Sequence, residues 1–324
     1  MISYESIRSV HLEISTRCNA SCPDCMRNYR GVNNVINTYP VTDMRLEQFK
    51  TIFKDDFIRQ LNHVYINGNY GDFVTAQDGI EIVKHLRILN PTMNIVISTN
   101  ASAKSDIWSD LGKLKVDVCF RLDGLEDTHK LYRLGTDFNS IIYNAKRFIE
   151  AGGIAQWHMI LFDHNKHQIS ACRALAKQLG FSSFNIVNEG RNTFPVFFQN
   201  RKLSHVVGNY LGSLDFDTLY QNSLEYQYEP DYTNKKISCY SKQNKQIYVS
   251  ANGEVYPCCW LGFYPLISNC QPSNSQLRPL IKDNNALVYG LKKSIEWFNS
   301  IEDTWQYPSP AQGRMYACNN VCGK

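Results

Sequence analysis

Six strand-like segments alternate with helix-like segments through the first 190 residues, and this alternation restricts the chain to a parallel sheet with crossover helices. The strand-like runs fall at 10–15, 64–67, 94–100, 116–124, 156–162 and 184–187. Helical patterning predicts helices over 79–89, stopped at Asn90-Pro91, over 140–151, stopped at Gly152-Gly153, and over 166–179, stopped at Gly180. Parallel neighbours need a long connection between them, and a helix is the usual one. The expected fold class is therefore α/β. The chain carries no internal repeat and no low-complexity tract.

At 324 residues the chain holds one large domain and a small one. Hydrophobic residues at 43% and charged residues at 20% read as a soluble globular protein. A net charge of +4 weakly favours an anionic substrate or partner and does not indicate a nucleic-acid binder. The first residues lack the basic and apolar regions of a signal peptide. No apolar run reaches about eighteen residues, so no transmembrane helix is expected, and a cytoplasmic location is.

Eleven cysteines without a secretion signal argue for metal rather than disulfides. Cys18, Cys22 and Cys25 stand at C-x3-C-x2-C spacing on the loop leaving the first strand. Three thiolates can hold three irons of a 4Fe–4S cluster and leave the fourth iron open to a small molecule. The alternatives are a zinc knuckle, which usually pairs C-x2-C units, and a ferredoxin fragment, which uses a denser run. Cys119 on a strand and Cys172 on a helix read as ordinary buried thiols. The other six, Cys239, Cys258, Cys259, Cys270, Cys318 and Cys322, fall in the last third. There, Ala251-Asn252-Gly253 between two alternating runs is a hairpin signal. Cys239 and Cys258 would meet at one end of that hairpin, with Cys318 and Cys322 added from the tail. A zinc ribbon is the alternative for this group.

The cysteine spacing and its place after a first strand resemble the radical S-adenosylmethionine (radical SAM) superfamily, over about residues 8–190. The resemblance implies a partial (β/α)6 barrel, with its chemistry at the C-terminal ends of the strands. Gly68-Asn69-Tyr70-Gly71-Asp72 matches the glycine-rich motif that holds the amino group of SAM, with Asp72 as the acidic neighbour. Ser98 and Asn100 match polar strand ends that meet ribose or carboxylate. Asp123 ends the fourth strand, and Arg133 matches an arginine that meets the SAM carboxylate. One departure is Asp24, where many members have an aromatic residue beside the adenine. The implied chemistry is reductive cleavage of SAM to a 5′-deoxyadenosyl radical, which takes hydrogen from a substrate.

The interval from Cys239 through Gly253 to Cys258 resembles the opening of a SPASM/twitch extension. On that resemblance Cys239, Cys258, Cys318 and Cys322 close one auxiliary 4Fe–4S cluster, giving two clusters in all. Cys259 and Cys270 are reserve ligands. A full SPASM domain needs a denser cysteine run, so the shorter twitch form is expected. The tail spacing of x3 rather than x2 weakens the assignment of the last ligand. The expected division is a core at 1–200, a linker at 201–235 with a helix near 203–213, and an auxiliary domain at 236–324. A helix over 285–300 is expected to pack at the barrel mouth.

Compatible reactions are oxidation, crosslinking or epimerisation of a small-molecule or peptide substrate. The electron donor would be a flavodoxin or ferredoxin. With no extra domain expected before the first strand, a peptide-modifying enzyme would need a separate leader-binding partner. A function of another class is an iron–sulfur or zinc scaffold, or an electron-transfer protein, without SAM chemistry. His158, Asp163 and Asn165 at the end of the fifth strand are candidate substrate contacts. The favoured reading for them is a core histidine and a helix cap.

Overall fold

A computed structural model describes residues 2–33, 40–103, 106–188, 193–225, 235–263, 265 and 273–324. Cys270, the second reserve ligand, lies outside the described residues.

Strands β1 (Ser9–Leu12), β2 (His63–Ile66), β3 (Asn94–Thr99), β4 (Asp117–Arg121), β5 (Ile154–Ile160) and β6 (Ser183–Val187) are parallel and lie side by side in chain order. Between them run α1 (Leu46–Ile52) and α2 (Asp55–Gln60), α3 (Gly79–Leu89), α4 (Ile107–Lys113), α5 (Glu126–Tyr132) and α6 (Phe138–Glu150), and α7 (Ile169–Leu179). The helices between consecutive parallel neighbours share one core with one face of the strands, the arrangement of a barrel rather than of a doubly wound sheet.

Strand alternation explains the two faces. Val10, Leu12, Val64, Ile66, Ile97, Val118, Phe120 and Trp157 pack with Ile82, Leu86, Trp108, Phe148 and Ala176 of the helices in one core. The opposite face carries Ser9, His11, His63, Tyr65, Ser98, Arg121, Gln156 and His158. Period-2 patterning thus sends apolar residues outward under the helices and polar ones inward. The stop after α7 is a left-handed glycine, Gly180, at φ +85°.

The C-terminal hairpin forms, with β7 (Gln246–Val249) antiparallel to β8 (Val255–Tyr256). It does not stand apart as a sheet of its own. β7 pairs parallel to β1, with Val10 opposite Ile247, so one eight-stranded sheet runs β8-β7-β1-β2-β3-β4-β5-β6.

Two expected helices are corrected. The helix near 203–213 is instead a strand, Leu203–Val207, paired antiparallel with Phe194–Phe197. Phe194, Val196 and Val207 of this hairpin are buried against Ala20 and Cys22, and that packing favours the extended form. The helix of this region comes later, at Phe216–Glu225. The helix over 285–300 is broken into Ala286–Tyr289, Leu291–Ser294 and Phe298–Asp303. Gly290, at φ +75°, makes the first break. Among the described residues, no helix is long and apolar enough to cross a membrane.

Candidate active site

The loops at the C-terminal ends of β1 to β5 surround a cavity of about 370 Å³. It is lined by Cys18, Cys22 and Cys25, by Gly68, Asn69, Gly71 and Asp72, and by Ser98, Asn100, Arg121 and Arg133. The motifs expected at separate strand ends therefore converge, with Asp123 as the exception.

The cysteine loop is braced on both sides. The Ser21 amide donates to the Leu134 carbonyl at 2.8 Å. Buried Arg27 donates from Nη1 to the carbonyls of Thr16, at 3.0 Å, and Tyr70, at 3.1 Å. N–H groups approach the sulfurs: Ala20 N lies 3.4 Å and Asn100 Nδ2 3.7 Å from Cys18 Sγ, and Arg133 Nη1 lies 3.8 Å from Cys22 Sγ. Burial pushes the Cys18 thiol up and the Cys22 thiol up to about 11. Thiols held this way need a metal to deprotonate them, and such donors tune the cluster they would hold. The donor set fits a 4Fe–4S cluster with three protein ligands.

The glycine-rich loop is shaped by its contact with the segment that follows β1. A Cβ on Gly71 would lie 1.8 Å from the Ser15 carbonyl oxygen, and one on Gly68 2.6 Å from Glu13 Oε1. These glycines are required where the loop crosses its own chain. Glu13 is buried; Oε1 accepts from the amides of Tyr70, at 2.7 Å, and Gly71, at 3.1 Å. Its Oε2 accepts from Tyr248 of β7 at 2.6 Å. Asp72 holds the loop at its far end, accepting from Thr99 Oγ1 at 2.5 Å, Asn100 N at 2.7 Å and Val74 N at 3.1 Å. Burial raises the Asp72 pKa against these hydrogen bonds. Asn69 donates to the Cys259 carbonyl at 2.9 Å.

The two arginines differ. Arg133 Nε donates to Asp123 Oδ2 at 2.6 Å, with the Asp123 side chain fully buried. Burial opposes the Arg133 charge, but Asp123 and Cys22 hold it protonated. Asp123 also accepts from the Ile160 amide at 2.6 Å. Asp123 thus stands behind Arg133 as its counter-ion, outside the cavity lining. Arg121 is half-buried and donates from Nε to Ser98 Oγ at 2.8 Å. No carboxylate is paired with it among the described residues.

His129 closes a ring of hydrogen bonds around this pair. The Asp123 amide donates to Nδ1 at 3.2 Å. The ring is therefore neutral, and Nε2–H donates to Thr136 Oγ1 at 2.9 Å. Thr136 in turn donates to the Arg133 carbonyl at 2.7 Å. Burial lowers the His129 pKa to about 4.

The candidates at the end of β5 are not part of this cavity. His158 lies on the inner face between Gln156 Oε1 and Asn185 Nδ2, each at 3.1 Å. Asp163 is exposed in an ion pair with Lys166 at 2.9 Å. Asn165 is buried and does not cap the following turn. It accepts from the Phe162 amide at 2.8 Å and donates to the Ile160 carbonyl at 2.9 Å and the Asp123 carbonyl at 3.3 Å. Asp24 lines the cavity together with the aromatic residues Tyr70, Tyr132, Trp260 and Phe263.

A second cavity, of about 700 Å³, is lined by Cys239, Cys258, Cys259, Cys318 and Cys322. His11, His63 and Tyr65 of the inner sheet face line it too. Asn67, Cys259 and Trp260 line both cavities and form the wall between them. The neighbouring Cys239 side chain draws the Cys322 thiol below its usual range. Burial pushes Cys258 up, and Cys318 up to about 12. Among the described residues, no three His, Cys, Asp or Glu side chains converge on one point as a single ion requires. A cubane takes one thiolate at each corner iron, so its ligands need not meet at a point.

Glu13, Arg121 and His129 were not singled out from the sequence. A carboxylate two residues after His11 on a strand, and an arginine two residues after Cys119, were the available signals for the first two. His129 had none.

No protein-family model matches the chain, and no curated protein matches it. Solved structures do. SuiB of Streptococcus suis bound to S-adenosylmethionine aligns at a TM-score of 0.56 and 15% identity, over 97% of this chain and 77% of SuiB. SuiB bound to the precursor peptide SuiA aligns at 0.56 and 16%, over 97% of this chain and 76% of that one. The protein anSMEcpe with bound AdoMet aligns at 0.55 and 17%, over 89% of this chain and 77% of its own. The chain shares the fold of these AdoMet-bound proteins.

Proposed function

We propose that this chain is a radical SAM enzyme with one catalytic and one auxiliary iron–sulfur cluster. The observation that carries the reading is the convergence of three thiols, a glycine loop and a half-buried arginine in one cavity. The shared fold with AdoMet-bound structures supports it. Cys18, Cys22 and Cys25 would hold the catalytic cluster. The cluster and SAM, when bound, supply one-electron cleavage of the sulfonium and a 5′-deoxyadenosyl radical that abstracts hydrogen from the substrate.

The chain's own groups position SAM. Arg133 has its charge committed to Asp123, so the guanidinium open to a carboxylate in the cavity is that of Arg121, backed by Ser98. Arg133 and Asp123 then act as a brace for the Cys22 side of the cluster. The loop from Gly68 to Asp72 and the side chain of Asn100 line the remaining wall. Cys239, Cys258, Cys318 and Cys322 would hold the auxiliary cluster of a twitch-type region at 236–324, with Cys259 in the dividing wall. A peptide substrate is the class supported by the peptide-bound neighbour.

Replacing Cys18, Cys22 and Cys25 together with Ala should remove about four irons per chain after anaerobic reconstitution, one cubane per thiolate set. SAM binding measured by calorimetry should vanish with them. Unchanged iron and SAM binding would refute the assignment.

A further inference from the structure

Each cysteine assigned to the auxiliary cluster faces an N–H group. The Lys242 amide approaches the Cys239 sulfur, the Leu261 amide that of Cys258 and the Tyr240 amide that of Cys322. These three donors are main chain, so any sequence folded this way would carry them. The fourth is a side chain: the Trp305 indole faces Cys318, and both residues line the second cavity.

Trp305 is held in place relative to Cys318. It lies in the turn Thr304–Gln306, and Cys318 lies in the helix Tyr316–Cys322. Two hydrogen bonds tie the turn to the start of that helix. The Met315 amide donates to Thr304 Oγ1 at 3.2 Å, and Arg314 Nη2 donates to the Trp305 carbonyl at 2.8 Å. The Lys242 ammonium sits 5.8 Å from the centre of the Trp305 ring and pairs with Glu302 at 2.5 Å. Trp305 Nε1 is buried and makes no close hydrogen bond among the described residues. Of the buried side-chain atoms in that condition, it is the one on the cavity of the auxiliary cysteines. A buried N–H without an acceptor is costly and calls for a specific explanation. A thiol sulfur is a weak acceptor, whereas a metal-bound thiolate is charged and accepts strongly.

We propose that Trp305 sets the reduction potential of the auxiliary cluster by donating its Nε1–H to the Cys318 thiolate, an inference that rests on the auxiliary-cluster reading above. Reduction adds one electron to the cluster and breaks no bond. The added negative charge is shared by the sulfurs, so an N–H aimed at one of them favours the reduced state. Trp305 acts through Cys318 and is a positioning residue.

The test uses the full chain lacking Cys18, Cys22 and Cys25, reconstituted anaerobically, so that the iron it holds is auxiliary. Its potential is read by stepwise reduction with dithionite, followed by EPR. Trp305→Phe in that chain should keep about four irons. It should shift the reduction equilibrium about tenfold towards the oxidised cluster, a potential lower by about 59 mV for one electron. Benzothienylalanine in place of Trp305 keeps the ring outline without the N–H and should give the same shift. An unchanged potential in either iron-loaded variant would overturn the donor role and leave the auxiliary-cluster reading standing. Loss of iron from both variants would make Trp305 a folding residue and overturn the donor role as well. If the parent chain lacking the three catalytic cysteines holds no iron, the auxiliary-cluster reading itself falls, and the donor role with it.

Discussion

Arg121 and Arg133 have the same side chain and different work, because one has a buried counter-ion and the other a hydroxyl. Losing the charged contact from Arg121 should weaken SAM binding by roughly 1.5–3 kcal/mol, about ten- to a hundredfold, with iron content intact. Arg133→Ala leaves the Asp123 carboxylate buried and unpaired, at a cost of about 3–5 kcal/mol in stability. Its signature is a lower unfolding midpoint together with reduced iron. Calorimetry and iron assay on the two variants separate these outcomes, and the same phenotype in both would remove the distinction. The sequence marked Asp123 and Arg133 near one strand end and did not mark Arg121. It did not show which arginine Asp123 neutralises, because that depends on where α5 returns the chain.

At the scale of elements, the crossover units were legible because their patterning and their stops are local. Gly180 and Asn90-Pro91 end helices where the residues alone say so. The hairpin Phe194–Phe197 with Leu203–Val207 was not, since its extended form depends on packing against the distant Cys22 loop. The attachment of β7 to β1 was also hidden: its polar tie, Tyr248 to Glu13, joins residues 235 apart. Tyr248→Phe should leave Glu13 Oε2 buried without its donor, costing about 1–3 kcal/mol. The loss should appear in thermal unfolding and as faster amide exchange at Tyr70 and Gly71, which Glu13 also holds. An unaltered midpoint with unaltered exchange would mean that the tie contributes nothing.

Across the whole molecule, the clustered site at the strand ends was readable from sequence, whereas the wall between the two cavities was not. Asn67, Cys259 and Trp260 come from opposite ends of the chain and meet only because β7 completes the sheet. Stability also has a pH dependence that belongs to the fold as a whole. His129 titrates near 6.5 when unfolded and about 4 when buried in the fold. Between those values the unfolded chain holds the extra proton, so this residue lowers stability as pH falls from 6.5 towards 4. By pH 5 the loss is about 2 kcal/mol. His129→Asn offers an oxygen acceptor to the Asp123 amide and does not titrate, so its acid-side loss of stability should be shallower than that of wild type. Parallel curves for the two proteins would refute that account. SAM cleavage is measured most directly as 5′-deoxyadenosine formed by the anaerobically reconstituted chain with SAM and dithionite. The wild-type chain should form 5′-deoxyadenosine and the variant lacking Cys18, Cys22 and Cys25 none; no product from a fully iron-loaded wild-type chain, or equal product from both, would refute SAM chemistry at these cysteines.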